Sequence, residues 1–221
     1  MSVFMIHACP QRMWYVNGYL IPSLIKQGID EDDIVIWCDE NDEGNLTTYM
    51  KSFKKCGERE GGTWHLQDDI LIAPYFVGMV RGYDENKVVC GFGGKAKGFP
   101  HLPGGPPGVV KPKEMWYSFP CIHIPNKLAG ECARWFFTDA RYRTKFSAWV
   151  AAKKYDDSFF REFMIEKHGD MGVINANPNL VEHVDWLIGG SILNSNRGRM
   201  RSGFWYNEEL VEYLKKQLNS R

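Results

Sequence analysis

Three short apolar runs constrain this chain most: VFMIHA at residues 3–8, IVIWC at 34–38 and ILIA at 70–73. Each is short enough for a buried strand and too short for a core helix. Between the first two, Val16, Leu20 and Leu24 recur at four-residue spacing, which predicts a helix over 12–28, kinked by Pro22. An EGN turn leads to a short helix near 46–56, and Lys87–Gly91 has the form of a further strand. Strands alternating with helices predict an α/β fold with a mostly parallel central sheet flanked by helices. A chain of 221 residues is long enough for one sizeable core, and no internal repeat or linker divides it, so a single domain over 1–221 is expected.

Several classes fall away. No run of about 18 apolar residues is present, so no membrane span is expected. The start, MSVFMIHACP, lacks a cationic leader and reads as the first strand. Six scattered cysteines without a CxxC pair predict buried thiols in a reducing, cytoplasmic setting, not a disulfide frame or zinc ribbon. Net charge is zero but uneven: residues 30–69 hold twelve acids against four bases, and 111–154 hold nine Lys or Arg against three acids. Such asymmetry suits an anionic ligand on one side, although solvated faces produce it too.

Adjacent acids carry the chemical signal. Gln67-Asp68-Asp69 runs straight into Ile70-Leu71-Ile72. Two carboxylates at the edge of a core repel unless a cation or donors compensate. A divalent metal resolves that conflict, since Mg²⁺ and Mn²⁺ favour carboxylate oxygens and keep positions for phosphate. A solvated turn is the competing explanation. A second pair, Asp156-Asp157, precedes Ser158-Phe159-Phe160. One of these residues suffices as a helix N-cap, which leaves a carboxylate over for general-base work. His183 lies in PNLVEHVDWLIGGS, in a predicted loop between a strand and a Gly-Gly-Ser turn. Further helices are predicted around Leu128, Cys132 and Phe136, from 156 to Gly169, and from an Asn207 cap through Leu210, Leu214 and Leu218. Residues 91–108, GFGGKAKGFPHLPGGPPG, form a long Gly/Pro loop without P-loop spacing.

Taken in order, a strand ending in WCDEN, then QDD, a mid-chain helix, a DD pair and P-x-L-V-x-H resemble the glycosyltransferases of the GT-A type. Those enzymes hold Mn²⁺ or Mg²⁺ against a nucleotide-sugar diphosphate with an Asp-x-Asp or x-Asp-Asp motif. Here Gln67 stands at the first position of that motif, Asp185 replaces the usual glycine after the histidine, and the serine is displaced. The resemblance implies a single GT-A-like domain that binds a nucleotide sugar, with UDP-sugars favoured, through about residues 1–110 and the acceptor through about 111–221. Asp69 and His183 become the metal ligands, and Gln67 and Asp68 lie by the ribose or donor sugar. His7, Ala8, Arg12 and Asp39 then surround the nucleobase and ribose, because ligands in open α/β sheets gather at the carboxyl ends of the strands. Lys95 and Lys97 fold over the diphosphate. Asp157, with Asp156 as second choice, is the base of an inverting transfer.

The acceptor is read from composition. RYRTKFSAWVAAKK and NRGRMRSGFWYN interleave cations with aromatic rings, a mixture that suits phosphate contacts plus base stacking. Arg197, Arg199, Arg201 and Trp205 are therefore the expected acceptor contacts, and a hydroxymethylated base extruded from DNA fits them. Small transferases of this kind are typical of bacteriophages, which would place the protein in the host cytoplasm. A saccharide, lipid-linked or protein acceptor is the alternative, as is a GT-A-like module that binds sugar nucleotides without catalysis. A nucleotidyltransferase ranks lower, because CPQRMWYVNG lacks the glycine density expected after the first strand.

Overall fold

The computed structural model describes residues 3–92, 108–113, 119–139, 144, 147–151, 156–169, 171–176, 179–184 and 188. Its strands are β1 (Val3–Ala8), β2 (Ile34–Cys38), β3 (Gly62–Gln67), β4 (Ile70–Ile72), β5 (Val89–Cys90), β6 (Gly108–Val110), β7 (Cys121–Pro125), β8 (Val173–Asn175) and β9 (Val181–His183). Helices are α1 (Met13–Tyr15), α2 (Ile21–Lys26), α3 (Asn45–Cys56), α4 (Phe76–Val80), α5 (Asn126–Thr138), α6 (Ser147–Ala151) and α7 (Asp156–His168).

Seven strands form one sheet in the order β2-β1-β3-β7-β5-β8-β6, and β4 and β9 form a separate two-stranded ribbon. Strands β2, β1, β3, β5 and β8 run one way, while β7 and β6 run against them. The α/β fold with a mostly parallel sheet is therefore present as expected. The side-chain period of two splits β1 between the faces: Phe4, Ile6 and Ala8 enter one layer, Met5 the other. On the Met5 side, α3 buries Leu46, Tyr49, Met50, Phe53 and Cys56 at three- and four-residue spacing, packed with α5 and α7. Across the sheet, Val16, Leu20 and Leu24 pack with Phe76, Val77 and Val80.

The helix expected over 12–28 is present but irregular. A 3₁₀ turn at Pro10–Arg12 leads into α1, then a π-type turn at Val16–Leu20, then α2. Pro22 has no N–H to give the preceding turn, and the widened ladder, with Ile21 N–H donating to Val16 O, takes up the discontinuity. His183 departs from its expected place in a loop: it ends strand β9, opposite Ile70. No disulfide joins any two of the six cysteines, and Cys56, Cys90, Cys121 and Cys132 are buried. Among the described residues no helix is long and apolar enough to cross a membrane. Most of the 91–108 loop and the helix expected after Asn207 lie outside the described residues.

Candidate active site

Strands β1, β2 and β3 end side by side, at Ala8, Cys38 and Gln67. The chain leaves β3 through Asp68-Asp69 and reverses into β4, whose antiparallel pairing sets Ile70 against His183. Val184 N–H donates to Asp69 O at 2.7 Å, and the Tyr15 hydroxyl donates to Ile70 O at 2.7 Å, so the acidic turn is held from two sides. Both carboxylates are 6% exposed. The solvated-turn explanation of this pair therefore fails.

What balances the pair is Arg12, itself 6% exposed. Its Nη1 donates to Asp68 Oδ1 at 2.8 Å and also contacts Asp69 Oδ2. Asp68 Oδ2 accepts the Cys9 N–H at 2.8 Å, so both oxygens of Asp68 are engaged and tie the end of β1 to the turn after β3. Burial and the neighbouring Asp69 charge push the Asp68 carboxyl up, against the pull of Arg12. Burial also opposes ionisation of Asp69, but His183 and Arg12 outweigh it and hold that carboxyl well below the usual range.

Asp69 Oδ1 faces His183 Nε2 at 3.1 Å, yet the contact lacks the geometry of a hydrogen bond, and this buried oxygen has no hydrogen-bond donor among the described residues. Two donors on one octahedral ion, each about 2.1 Å from it and at right angles, lie about 3.0 Å apart. The pair thus fits two adjacent positions on a small divalent cation. No group of three or more His, Cys, Asp or Glu converges among the described residues. Two protein ligands, with the other positions left to water and phosphate, is how Mg²⁺ is commonly held beside a nucleotide.

The second acidic pair opens α7. Asp156 is buried, its Oδ2 has no hydrogen-bond partner among the described residues, and burial, then the charges of Asp157 and Asp69, push its carboxyl up to about 8. Asp157 is less buried, and its Oδ1 accepts the Ser158 N–H at 2.6 Å and hydroxyl at 3.2 Å. Tyr49, absent from the sequence expectations, lies near enough to both acidic pairs to feel their charge. Its hydroxyl donates to Phe119 O at 3.3 Å, lies in reach of Gln67, and is raised by burial, then by the Asp156 and Asp69 charges. The signal that could have found it is its place on the buried stripe of α3.

Other expected residues sit differently. His7 is buried against α3, stacked on Tyr49 at 3.6 Å between ring centres, with Nε2 2.9 Å from His65 Nδ1. Burial, then His65, lowers its pKa well below the ordinary imidazole value, so the ring is neutral. Ala8 offers its carbonyl to Asp39 N–H at 2.9 Å. Asp39, expected at the ribose, accepts the N–H groups of Glu43 (2.8 Å) and Gly44 (2.7 Å) and so closes the turn into α3. Lys95, Lys97, Arg197, Arg199, Arg201 and Trp205 lie outside the described residues. A cavity of about 250 Å³ touching Phe4, Ile29, Asp30, Asp33, Trp64 and Arg81 opens at the opposite, amino-terminal ends of β1 and β3, away from Asp68 and Asp69.

No family model matches the chain, and no curated protein matches it by sequence. Among solved structures it is similar to the galactosyltransferase LgtC, crystallised in complex with donor and acceptor sugar analogues: 13% identity, 98% of this chain against 96% of that one, and a TM-score of 0.42. That likeness is too distant to carry chemistry from one chain to the other, so the site stands on its own side chains: a buried acidic turn after β3, an imidazole delivered by β9 and a buried carboxyl from α7.

Proposed function

We propose that this protein is a glycosyltransferase that moves a sugar from a nucleotide-diphosphate sugar to an acceptor hydroxyl, with a divalent cation at Asp69 and His183. The observation that carries this reading is the 3.1 Å approach of Asp69 Oδ1 to His183 Nε2 beside an otherwise buried acidic turn. A bound Mn²⁺ or Mg²⁺ supplies Lewis-acid stabilisation of the departing diphosphate. The chain supplies the rest. Asp69 and His183 orient the ion, and Arg12 and Asp68 fix the turn that carries Asp69. A carboxylate at the start of α7 takes the acceptor proton. Asp157, the less buried of the pair, is the first choice for that task, and Asp156, whose carboxyl burial pushes up to about 8, is the second. A base on the face opposite the leaving group gives inversion. Lys95 and Lys97 meet the diphosphate, with a UDP-sugar as the favoured donor.

For the acceptor we favour a hydroxymethylated base in DNA, of the kind bacteriophages carry, met by Arg197, Arg199, Arg201 and Trp205. The support is the cation–aromatic interleaving of the late sequence. The test is turnover of UDP-sugars with Mn²⁺ by the native protein and by Asp69→Ala. A folded Asp69→Ala protein is expected to lose at least 100-fold in rate, by the size of effect single electrostatic catalytic groups show. Unimpaired turnover removes the metal assignment. The same assay, run with tagged donor on hydroxymethylated DNA beside a glycan mixture, assigns the acceptor; label on glycans alone removes DNA.

A further inference from the structure

We infer that Arg12 is a built-in counter-cation that competes with the divalent ion at Asp69 and limits that carboxylate to one metal-facing oxygen. This inference rests on the metal site proposed above. The geometry divides the four carboxylate oxygens unequally. Asp68 gives Oδ1 to Arg12 and Oδ2 to the Cys9 N–H, so neither of its oxygens faces His183 in this arrangement. Asp69 gives Oδ2 to the same guanidinium, which leaves Oδ1 turned toward His183 Nε2. A cation reaching this site therefore meets one carboxylate oxygen and one imidazole nitrogen rather than a chelating pair of acids.

Charge follows the same division. With His183 in the neutral form that a metal ligand takes, two ionised carboxylates and one guanidinium sum to a single negative charge, and an arginine cannot shed its proton to relieve crowding. A divalent ion turns that balance positive, which suits a pyrophosphate arriving next. It also sets two cationic centres on one buried carboxylate, where weak screening makes their repulsion costly. Without the guanidinium, two uncompensated carboxylates remain one residue apart, and both gain from a divalent ion. Arg12 thus stabilises the metal-free turn and weakens the metal, two effects that must move in opposite directions when it is replaced.

The experiment is a titration of MnCl₂ into the native protein, Arg12→Gln and Arg12→Lys, with free Mn²⁺ followed by electron paramagnetic resonance. Each metal-free Tm is measured in chelator. Arg12→Gln is expected to lower the metal-free Tm and to bind Mn²⁺ at least tenfold more tightly. Arg12→Lys keeps the charge but lacks the planar fork, and is expected to fall between. If Arg12→Gln folds only with metal, the lysine variant carries the comparison. Equal or weaker Mn²⁺ binding in the folded variants overturns the role of Arg12 and leaves the metal site standing. Absence of Mn²⁺ binding in all three proteins brings down the metal site itself. Binding that appears only when Arg12 is replaced supports the competition in its strongest form.

Discussion

Asp156 shows how a single residue can be read twice. In sequence it is half of an acidic pair before a helix, a position that capping explains without chemistry. In three dimensions it is a buried carboxyl whose pKa is pushed up to about 8 by burial, then by Asp157 and Asp69. The folded chain keeps this proton until about pH 8, whereas an unfolded aspartate loses it near pH 4. Over that window the folded state binds more protons, so the contribution to stability falls as pH rises. Asp156→Asn, which has nothing to ionise, is predicted to be more stable than the native protein by on the order of 2 kcal/mol at pH 8 without metal. The gain should close toward pH 4, where both side chains are neutral. Urea unfolding across that range checks it, and a gap that stays constant with pH contradicts the assignment. Asp69 and His183 were legible as candidate site residues, the acid because it abuts an apolar run and the histidine because it falls in the P-x-L-V-x-H segment. Arg12 was legible only as a residue beyond a strand end. Its partner is fixed by the neighbouring of β1 and β3, which nothing local to either segment encodes.

Elements were legible where their periodicity was long. Strand β1 and helices α3, α5 and α7 stand close to their expected spans because each repeats its apolar spacing over several residues. The short elements α4, β6 and β7 were not anticipated. Five or fewer residues give too few repeats to separate a strand from a turn, and they are held by neighbours distant in sequence. The β4–β9 ribbon belongs to the same class: three residues from each of two segments far apart in the chain, ordered by their pairing. Close helix packing was equally invisible. At the end of α3, Gly57 meets Gly130 of α5 so nearly that a Cβ on Gly130 would lie 2.9 Å from the Gly57 Cα. Gly130→Ala is predicted to cost about 1–3 kcal/mol, because backbone must move to make room. Gly78→Ala in α4, where an added Cβ meets nothing within 4 Å, is predicted to gain about 0.5 kcal/mol or more from the better helix former. Thermal unfolding of the two variants should separate them in sign. A neutral Gly130→Ala would show that α3 and α5 can slide apart freely.

At the scale of the molecule, the sheet does one thing for the site: it brings the carboxyl ends of β1, β2 and β3 to a common edge, from which the chain passes through Asp68-Asp69 into the β4–β9 ribbon. Three segments far apart in the chain, after β3, at the end of β9 and at the start of α7, then contribute Asp69, His183 and Asp156 to one region. Any ligand bridging them ties the ribbon and α7 to the sheet, so binding is linked to global stability and not only to local order. A nucleotide sugar that binds only the folded protein should raise its stability by about 2.7 kcal/mol at a hundredfold excess over the dissociation constant. If the diphosphate is held through a cation, that gain is conditional. A thermal-shift panel of nucleotide sugars is predicted to show a large rise in Tm with Mn²⁺ and little or none in chelator. The conditional part should disappear in His183→Ala. The alanine removes one ligand from the edge of the site while leaving the Arg12 bridge, and with it the acidic turn, in place. An undiminished Mn²⁺-dependent shift in that variant would place the cation elsewhere on the molecule. A shift that is the same with and without metal would instead assign diphosphate recognition to the chain's own cations, with Lys95 and Lys97 the first to examine.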